Sequence, residues 1–180
     1  QLAMIHGGSG GLGSFAVQFA RWAGARVAAT CSTPNVDYLK ALGVERVIDY
    51  RTENIADAVA AWAPEGLDYL MDAVGVSSLP NGLDLVKPGG TLVSIPTLVD
   101  DGDIPSQVAA GAVKGVKRVF STMDDVGCGP TLQKIGELLD SGDILLPPLR
   151  EFPLLEVAEA HRIIQGGHNR GKTVLRVEEF

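Results

Sequence analysis

The chain has 180 residues, 46% of them hydrophobic and 21% charged, with 22 glycines, two cysteines and a formal net charge of −7. That length fits one domain, or one domain with a small appendage, and it can bury a sizeable core. The aliphatic content excludes a disordered chain, and no apolar run reaches the roughly 18–20 residues that a membrane helix needs. The acidic balance speaks against nucleic acid as a partner, because binding to a phosphate backbone runs on clustered Lys and Arg.

Cys31 and Cys128 lie far apart, and neither belongs to a C-x-x-C pair. They offer no disulfide framework and no zinc-ligand spacing, and both read as small apolar side chains. No charged stretch followed by an apolar run marks a signal peptide, so a reducing cytoplasm is the expected location. The chain opens at Gln1 and enters an apolar strand within two residues, which points to a segment upstream of it.

In chain order, the apolar run 2–5 reads as a strand buried on both faces. A helix is expected over 11–23, where Leu12, Ala16, Phe19 and Ala23 recur at helical spacing and Gly24 stops it. Strand 26–30 follows, then a helix over 34–42 with Pro34 near its first turn and Gly43 after it, then strand 46–49. The rhythm repeats with helix 53–62, strand 68–71, an irregular helix over 77–86, a turn at 87–90 and strand 90–95. Beyond a polar loop around 100–103, a helix over 106–113 precedes a sixth strand at 116–120. Strands alternating with short helices imply parallel crossover units. The expected fold is therefore α/β, a doubly wound six-stranded parallel sheet with helices on both faces.

After about residue 122 the pattern changes. Helix 131–139, an extended linker at Pro147-Pro148, helix 154–164 and a lone strand 173–177 form a helix-helix-strand tail, and the last strand has no obvious neighbour in the sheet. The expected division is 1–122 for the sheet domain and 123–180 for the C-terminal segment.

The first strand runs into Gly7-Gly8-Ser9-Gly10-Gly11-Leu12-Gly13, which holds G-x-G-x-x-G at positions 8, 10 and 13. Between a strand and a helix this pattern cradles a pyrophosphate: the first glycine permits the tight turn, the second lets the phosphates approach the backbone, and the third lets helix and strand pack closely. Helix N-terminal amides then hold the anion. The same stretch spells the nucleophile elbow G-x-S-x-G around Ser9, but that fold requires earlier strands and a nearby oxyanion loop. Gly166 to Thr173 fits the phosphate-loop pattern G-x-x-x-x-G-K-[ST], yet it follows a helix and precedes a strand, the reverse of what that loop requires.

Dinucleotide sites selective for NAD place an acid at the end of the second strand to take the ribose hydroxyls. This chain has Thr30-Cys31-Ser32-Thr33 there, which admits a 2′-phosphate. Candidate partners are Ser32, Thr33, Tyr50 and Arg51, with Arg26 and Lys40 nearby, although the three charged residues among these read equally as solvated surface groups. NADP(H) is expected over NAD(H), with NAD(H) possible. The missing acid disfavours a methyltransferase, and the lack of a Tyr-x-x-x-Lys pair disfavours a short-chain dehydrogenase.

His6 to Gly13, Ala23-Gly24-Ala25, Leu42-Gly43-Val44, Val47 to Arg51, Asp72-Ala73-Val74-Gly75, Leu85 to Gly90 and Arg170-Gly171-Lys172-Thr173-Val174 together resemble the cofactor-binding half of the medium-chain dehydrogenase/reductase superfamily. The chain is most similar to its zinc-independent quinone oxidoreductases of the zeta-crystallin type. The resemblance implies pyrophosphate contacts at Gly10, Gly11, Leu12 and Gly13. It implies adenosine-phosphate contacts at Ser32 and Tyr50, and nicotinamide-side contacts at Val74, Gly75, Ser94, Ile95 and Phe120. It also implies a C-terminal contact near Arg170 and Gly171. Some members carry a basic residue for the 2′-phosphate in the helix after the second strand, where this chain reads Pro34-Asn35-Val36-Asp37.

The same resemblance implies NADPH-dependent hydride transfer to a small-molecule acceptor, a quinone or an α,β-unsaturated carbonyl. It implies a separate substrate domain whose sheet receives the last strand, and a homodimer through the edge strand 116–120. No metal ligand and no general acid or base is expected in this chain: His161 reads as a helix-surface residue, Asp72 as a strand end, and Asp100, Asp101 and Asp103 as a solvated loop. A non-catalytic NADPH-binding protein is the other reading.

Overall fold

A computed structural model describes residues 1–95, 103–121, 129–167 and 169–177. Six parallel strands form one sheet: β1 (Leu2–His6), β2 (Arg26–Cys31), β3 (Arg46–Asp49), β4 (Leu67–Asp72), β5 (Val86–Ser94) and β6 (Lys117–Phe120), in the order β3-β2-β1-β4-β5-β6. Successive side chains of a strand point to opposite faces, so Met4 and Ile5 enter different cores. Ile5 packs with Val17, Val27 and Leu39 beneath α1 (Gly13–Trp22) and α2 (Val36–Ala41). Met4 packs with Ile48, Val59, Leu70 and Leu92 on the face of α3 (Ile55–Trp62). α4 (Ile104–Lys114) lies on that second face against β6. The doubly wound α/β sheet is the fold the alternating pattern predicts.

Local chemistry sets the helix ends. The Asn54 side chain accepts the Asp57 amide at 3.1 Å to start α3, and Asp103 accepts the Ser106 amide at 3.2 Å to start α4. The rest of the expected 100–103 loop, and Cys128 and His168, lie outside the described residues.

Three expectations are corrected. No helix spans 77–86: two short 3-10 turns, Val76–Ser78 and Gly82–Leu85, occupy that stretch. Pro80 has no amide to continue a helix, and Leu79 and Gly82 donate to carbonyls three residues back instead. β5 starts at Val86 rather than after the 87–90 turn, because a register shift between Leu67 and Tyr69 lets the strand pass through Pro88-Gly89.

The third correction concerns the tail. It runs α5 (Gly129–Asp140), β7 (Leu149–Pro153), α6 (Val157–Gln165) and β8 (Lys172–Arg176), so a strand stands where only a linker is expected. β7 and β8 pair in parallel, Leu149 opposite Lys172 through Pro153 opposite Arg176, with α6 as their crossover. The last strand stays outside the six-stranded sheet, as expected, and has its neighbour in a second sheet of two strands.

Hydrogen bonds fasten this tail to the sheet domain, among them those of Leu145 and Gly171. The Gln18 carboxamide, buried on α1, donates to the Leu145 carbonyl at 3.0 Å and accepts the Leu145 amide at 2.7 Å. The Gly171 amide donates to Ser9 O at 3.1 Å, which makes a single parallel bridge between Gly10 and Gly171.

Candidate functional site

Chain order reverses between β1 and β4, the neighbours at the centre of the sheet. In open α/β sheets ligands settle outside the carboxyl ends of the strands at that point. A cavity of about 630 Å³ lies there. Gly7, Ser9 and Gly10 line it from the glycine loop, Thr30 to Ser32 and Asn35 from the end of β2, and Tyr50 from the end of β3. Ala73, Val74 and Ser78 line it from the loop after β4, and Gly167 and Asn169 from the tail.

The glycines divide their work. A side chain on Gly13 would lie 2.1 Å from the Gly7 carbonyl oxygen, so this glycine lets α1 pack on the loop. At Gly10 the nearest atom to such a carbon is 3.5 Å away, which leaves that position open at the cavity. Gly11 has a different role: the Lys172 side chain of β8 lies 2.6 Å from where its β-carbon would be. Leu12, 44% exposed, faces a separate apolar hollow with Phe19 and Tyr69. The amides of Gly11, Leu12 and Gly13 have no acceptor among the described residues, the donor set that an anion at a helix N-terminus requires.

At the adenosine end expected from the sequence, the buried Ser32 hydroxyl accepts from Asn35 Nδ2 at 3.3 Å. Arg170 reaches the same place from the tail. Its Nε donates to Asn35 Oδ1 at 2.9 Å, its Nη2 donates to the Pro34 carbonyl at 2.6 Å, and its guanidinium lies 5.3 Å from the centre of the Tyr38 ring. Tyr50, 41% exposed, stands across the cavity. The nearest strand-end acid is Asp49 on β3; hydrogen bonds from Thr33, Arg51 and Thr52 hold its carboxyl below the usual range.

At the other end, Asp72 closes β4. Its Oδ1 accepts the amides of Val74 and Gly75, both at 3.0 Å, and its Oδ2 accepts the Ser94 hydroxyl at 3.3 Å. Ser94 Oγ in turn accepts Arg118 Nη2 at 2.9 Å, and the Arg118 guanidinium lies 3.8 Å from the Phe120 ring centre. Ile95 donates its amide to the Asp72 carbonyl.

The structure thus brings Gly10, Ser32, Tyr50 and Val74 into one cavity, with Gly75, Arg170 and Gly171 beside it. Ser94, Ile95 and Phe120 sit at the ends of β5 and β6, outside its lining, while Gly11, Leu12 and Gly13 serve the loop and helix start. The cavity wall also holds His6, Thr30, Asn35 and Ser78, to which the sequence assigned no site role. His6 and Thr30 sit at the carboxyl ends of adjacent strands, and that placement was the available signal. Burial pushes the Cys31 thiol up to about 11, aided by Asp49, which keeps it neutral in the cavity wall.

The decoy motifs resolve by context. Ser9 lines the cavity, but the nearby His6 ring bonds to Thr30 and Ser78 instead. Gly166 to Thr173 turns from α6 into β8, with Gly167 and Gly171 in the left-handed region at φ 71° and 66°. His161 lies exposed on α6.

Residues 42–175 match the family model of the zinc-binding dehydrogenases. The chain belongs to the zinc-binding dehydrogenase family. This places it in the medium-chain dehydrogenase/reductase superfamily. The chain is 34% identical over 191 residues to the mouse (Mus musculus) NAD(P)H oxidoreductase RTN4IP1, mitochondrial, matching 97% of this chain and 48% of that protein. It is 29% identical over 178 residues to the NADPH-dependent alkenal/one oxidoreductase, chloroplastic, of Arabidopsis thaliana, covering 96% of this chain and 39% of the other. The solved quinone oxidoreductase of Coxiella burnetii superposes with a TM-score of 0.84 at 29% identity, over 98% of this chain and 53% of that one. The chain spans about half the length of the relatives it matches, or less.

Zinc is implied by the family's description. Among the described residues, no three His, Cys, Asp or Glu side chains converge, so these residues do not fit a zinc site. No helix among them is long and apolar enough to cross a membrane.

Proposed function

We propose that the cavity binds NADP(H) and that the chain is the cofactor-binding half of a zinc-independent oxidoreductase that reduces a quinone or an α,β-unsaturated carbonyl. One observation carries the choice of cofactor: the end of β2 presents the Ser32 hydroxyl and a tethered Arg170 guanidinium where a carboxylate would exclude a 2′-phosphate. A guanidinium recognises a phosphate through charge-assisted hydrogen bonds, and Arg170 is already held in place by two acceptors. Tyr50 faces the same region. The relatives named NAD(P)H and NADPH-dependent oxidoreductases support this reading.

The bound dinucleotide supplies a hydride from its reduced nicotinamide, and the acceptor takes that hydride together with a proton. This chain's residues bind and orient. The amides of Gly11, Leu12 and Gly13 hold the pyrophosphate beside Gly10, where no side chain intrudes. Asp72 fixes the loop of Val74 and Gly75, so the nicotinamide end meets ordered backbone. The outer edge of the β7–β8 pair receives the substrate domain's sheet, and residues 123–180 form the segment that joins the two. The edge strand 116–120 pairs two copies into a homodimer. A reducing compartment, the cytoplasm included, suits the free Cys31 thiol.

The test is a fluorescence titration with NADPH, NADH and S-adenosylmethionine, followed by quinone and enone reduction by the full-length gene product. NADPH is expected to bind more tightly than NADH, with turnover of at least one acceptor class. Tighter binding of S-adenosylmethionine overturns the cofactor, and NADPH binding without turnover converts the reading to a non-catalytic NADPH-binding protein.

A further inference from the structure

His6, the last residue of β1, is 4% exposed and both of its ring nitrogens are engaged. Nδ1 lies 2.8 Å from Thr30 Oγ1, and Nε2 lies 2.9 Å from Ser78 Oγ. The partners fix where the protons sit. Ser78 donates its hydroxyl proton to the Gly75 carbonyl at 2.7 Å, so its oxygen accepts from Nε2–H. A neutral imidazole has one N–H, and Nδ1 is therefore an acceptor, filled by the Thr30 hydroxyl. Thr30 Oγ1 in turn accepts the Gly7 amide at 2.9 Å. The bonds run in one direction, from Gly7 N–H through Thr30, His6 and Ser78 to Gly75 O.

The two ends of this relay are the two sides of the crevice. Gly7 opens the glycine loop at φ 84°, and Gly75 lies in the loop after β4 at φ 130°, both in the left-handed region where only glycine sits without strain. The loops also touch: a β-carbon on Gly7 would lie 2.7 Å from Val74 Cγ2. Asp72 fixes the amide side of the second loop, and Ser78 fixes its carbonyl side.

We propose that His6, neutral and protonated on Nε2, is a positioning residue of the crevice, holding the glycine loop and the loop after β4 as one hydrogen-bonded unit so that both present their backbone to the same ligand. The ligand rests on the dinucleotide reading above; the relay rests on the geometry alone. An imidazolium does not fit, because two ring donors would force Thr30 Oγ1 to accept from both sides and turn its own proton away. Burial lowers the His6 pKa below 6.5 against the opposing field of Asp72 on the adjacent strand. Cys31, which lines the same cavity, stays neutral.

The experiment pairs NMR with binding on the protein and its Ser78→Ala and Ser78→Thr variants. Long-range ¹⁵N–¹H spectra at pH 7 are expected to show His6 neutral with its proton on Nε2. Ser78→Ala is expected to shift the amide resonance of Gly7, at the far end of the relay, and to weaken NADPH or NADH binding about tenfold, the loss of about one buried hydrogen bond. Ser78→Thr, which keeps the hydroxyl, restores both. A merely structural Ser78 would move only the signals near Gly75. A proton on Nδ1, an imidazolium at pH 7, a Gly7 amide indifferent to Ser78→Ala, or unchanged affinity in that variant overturns the proposal. If the unaltered protein binds neither dinucleotide, the cofactor reading falls, while the tautomer and the Gly7 response still decide the relay.

Discussion

Arg170 and Asn35 are 135 positions apart in the chain, and Arg170 Nε donates to Asn35 Oδ1 across 2.9 Å. This bond carries a cation from the C-terminal turn to the end of the second strand, where the segment Pro34 to Asp37 supplies none. Replacing Arg170 with Met keeps most of the apolar stem and removes the charge. NADPH affinity is expected to fall by about ten- to a hundredfold, the worth of a charge-assisted hydrogen bond or two, with NADH affinity nearly unchanged. Parallel titrations of the two cofactors check this, and equal losses for both would assign Arg170 to structure alone.

Two alanine substitutions in one loop are expected to fail differently. Gly13→Ala sets a methyl 2.1 Å from the Gly7 carbonyl oxygen, a backbone clash that no side-chain movement relieves. It should cost about 3 kcal/mol or more of stability, at the upper end of overpacking effects. Gly10→Ala meets only one atom, at 3.5 Å, so the fold survives while the added methyl occupies the phosphate side of the cavity. Thermal unfolding and dinucleotide titration of both variants separate the two effects.

The Gln18 clamp holds the tail. Gln18→Leu keeps the volume but leaves the Leu145 amide and carbonyl without their partners, which should cost about 2–3 kcal/mol. Because the lost bonds join the tail to α1, limited proteolysis should cut between α5 and β7 sooner than in the unaltered chain. Uniformly faster cleavage across the sheet domain would argue against a local clamp.

The burial of His6 makes a prediction about pH. Its folded pKa lies below the ordinary 6.5, so as pH falls below 6.5 the unfolded chain takes up a proton that the folded chain refuses. The stability contribution is present above pH 6.5 and is lost as pH falls through the folded pKa. Urea unfolding midpoints measured from pH 7.5 down to 5 should decline over this window, and His6→Gln, though less stable at pH 7, should decline less. Identical slopes would show that His6 does not set the pH dependence.

The sequence by itself determined the layering of the fold. The strands and helices from Leu2 to Trp62 follow from local periodicity, Gly24 and Gly43 stop helices because they tolerate positive φ, and the glycine pattern between a strand and a helix marks the crevice. The absence of an acid after β2 was equally legible, since it needs only the strand's end to be located. Positions 77–86 read as an irregular helix in the alternating pattern, while Pro80 and the competing three-residue turns decide against it.

Only the tertiary structure decided what meets in the crevice. β7 pairs in parallel with β8 across an intervening helix, and a parallel pair has no turn signature between its strands that a sequence could display. Gly11 is small because Lys172 crosses it, Gln18 is buried because it satisfies Leu145, and His6 is neutral because Thr30 and Ser78 arrange its protons. Each of these depends on residues distant in the chain brought within hydrogen-bond or van der Waals reach. Periodicity reports which face of an element is apolar, but a partner far along the chain is chosen by packing and by the need to satisfy buried polar groups.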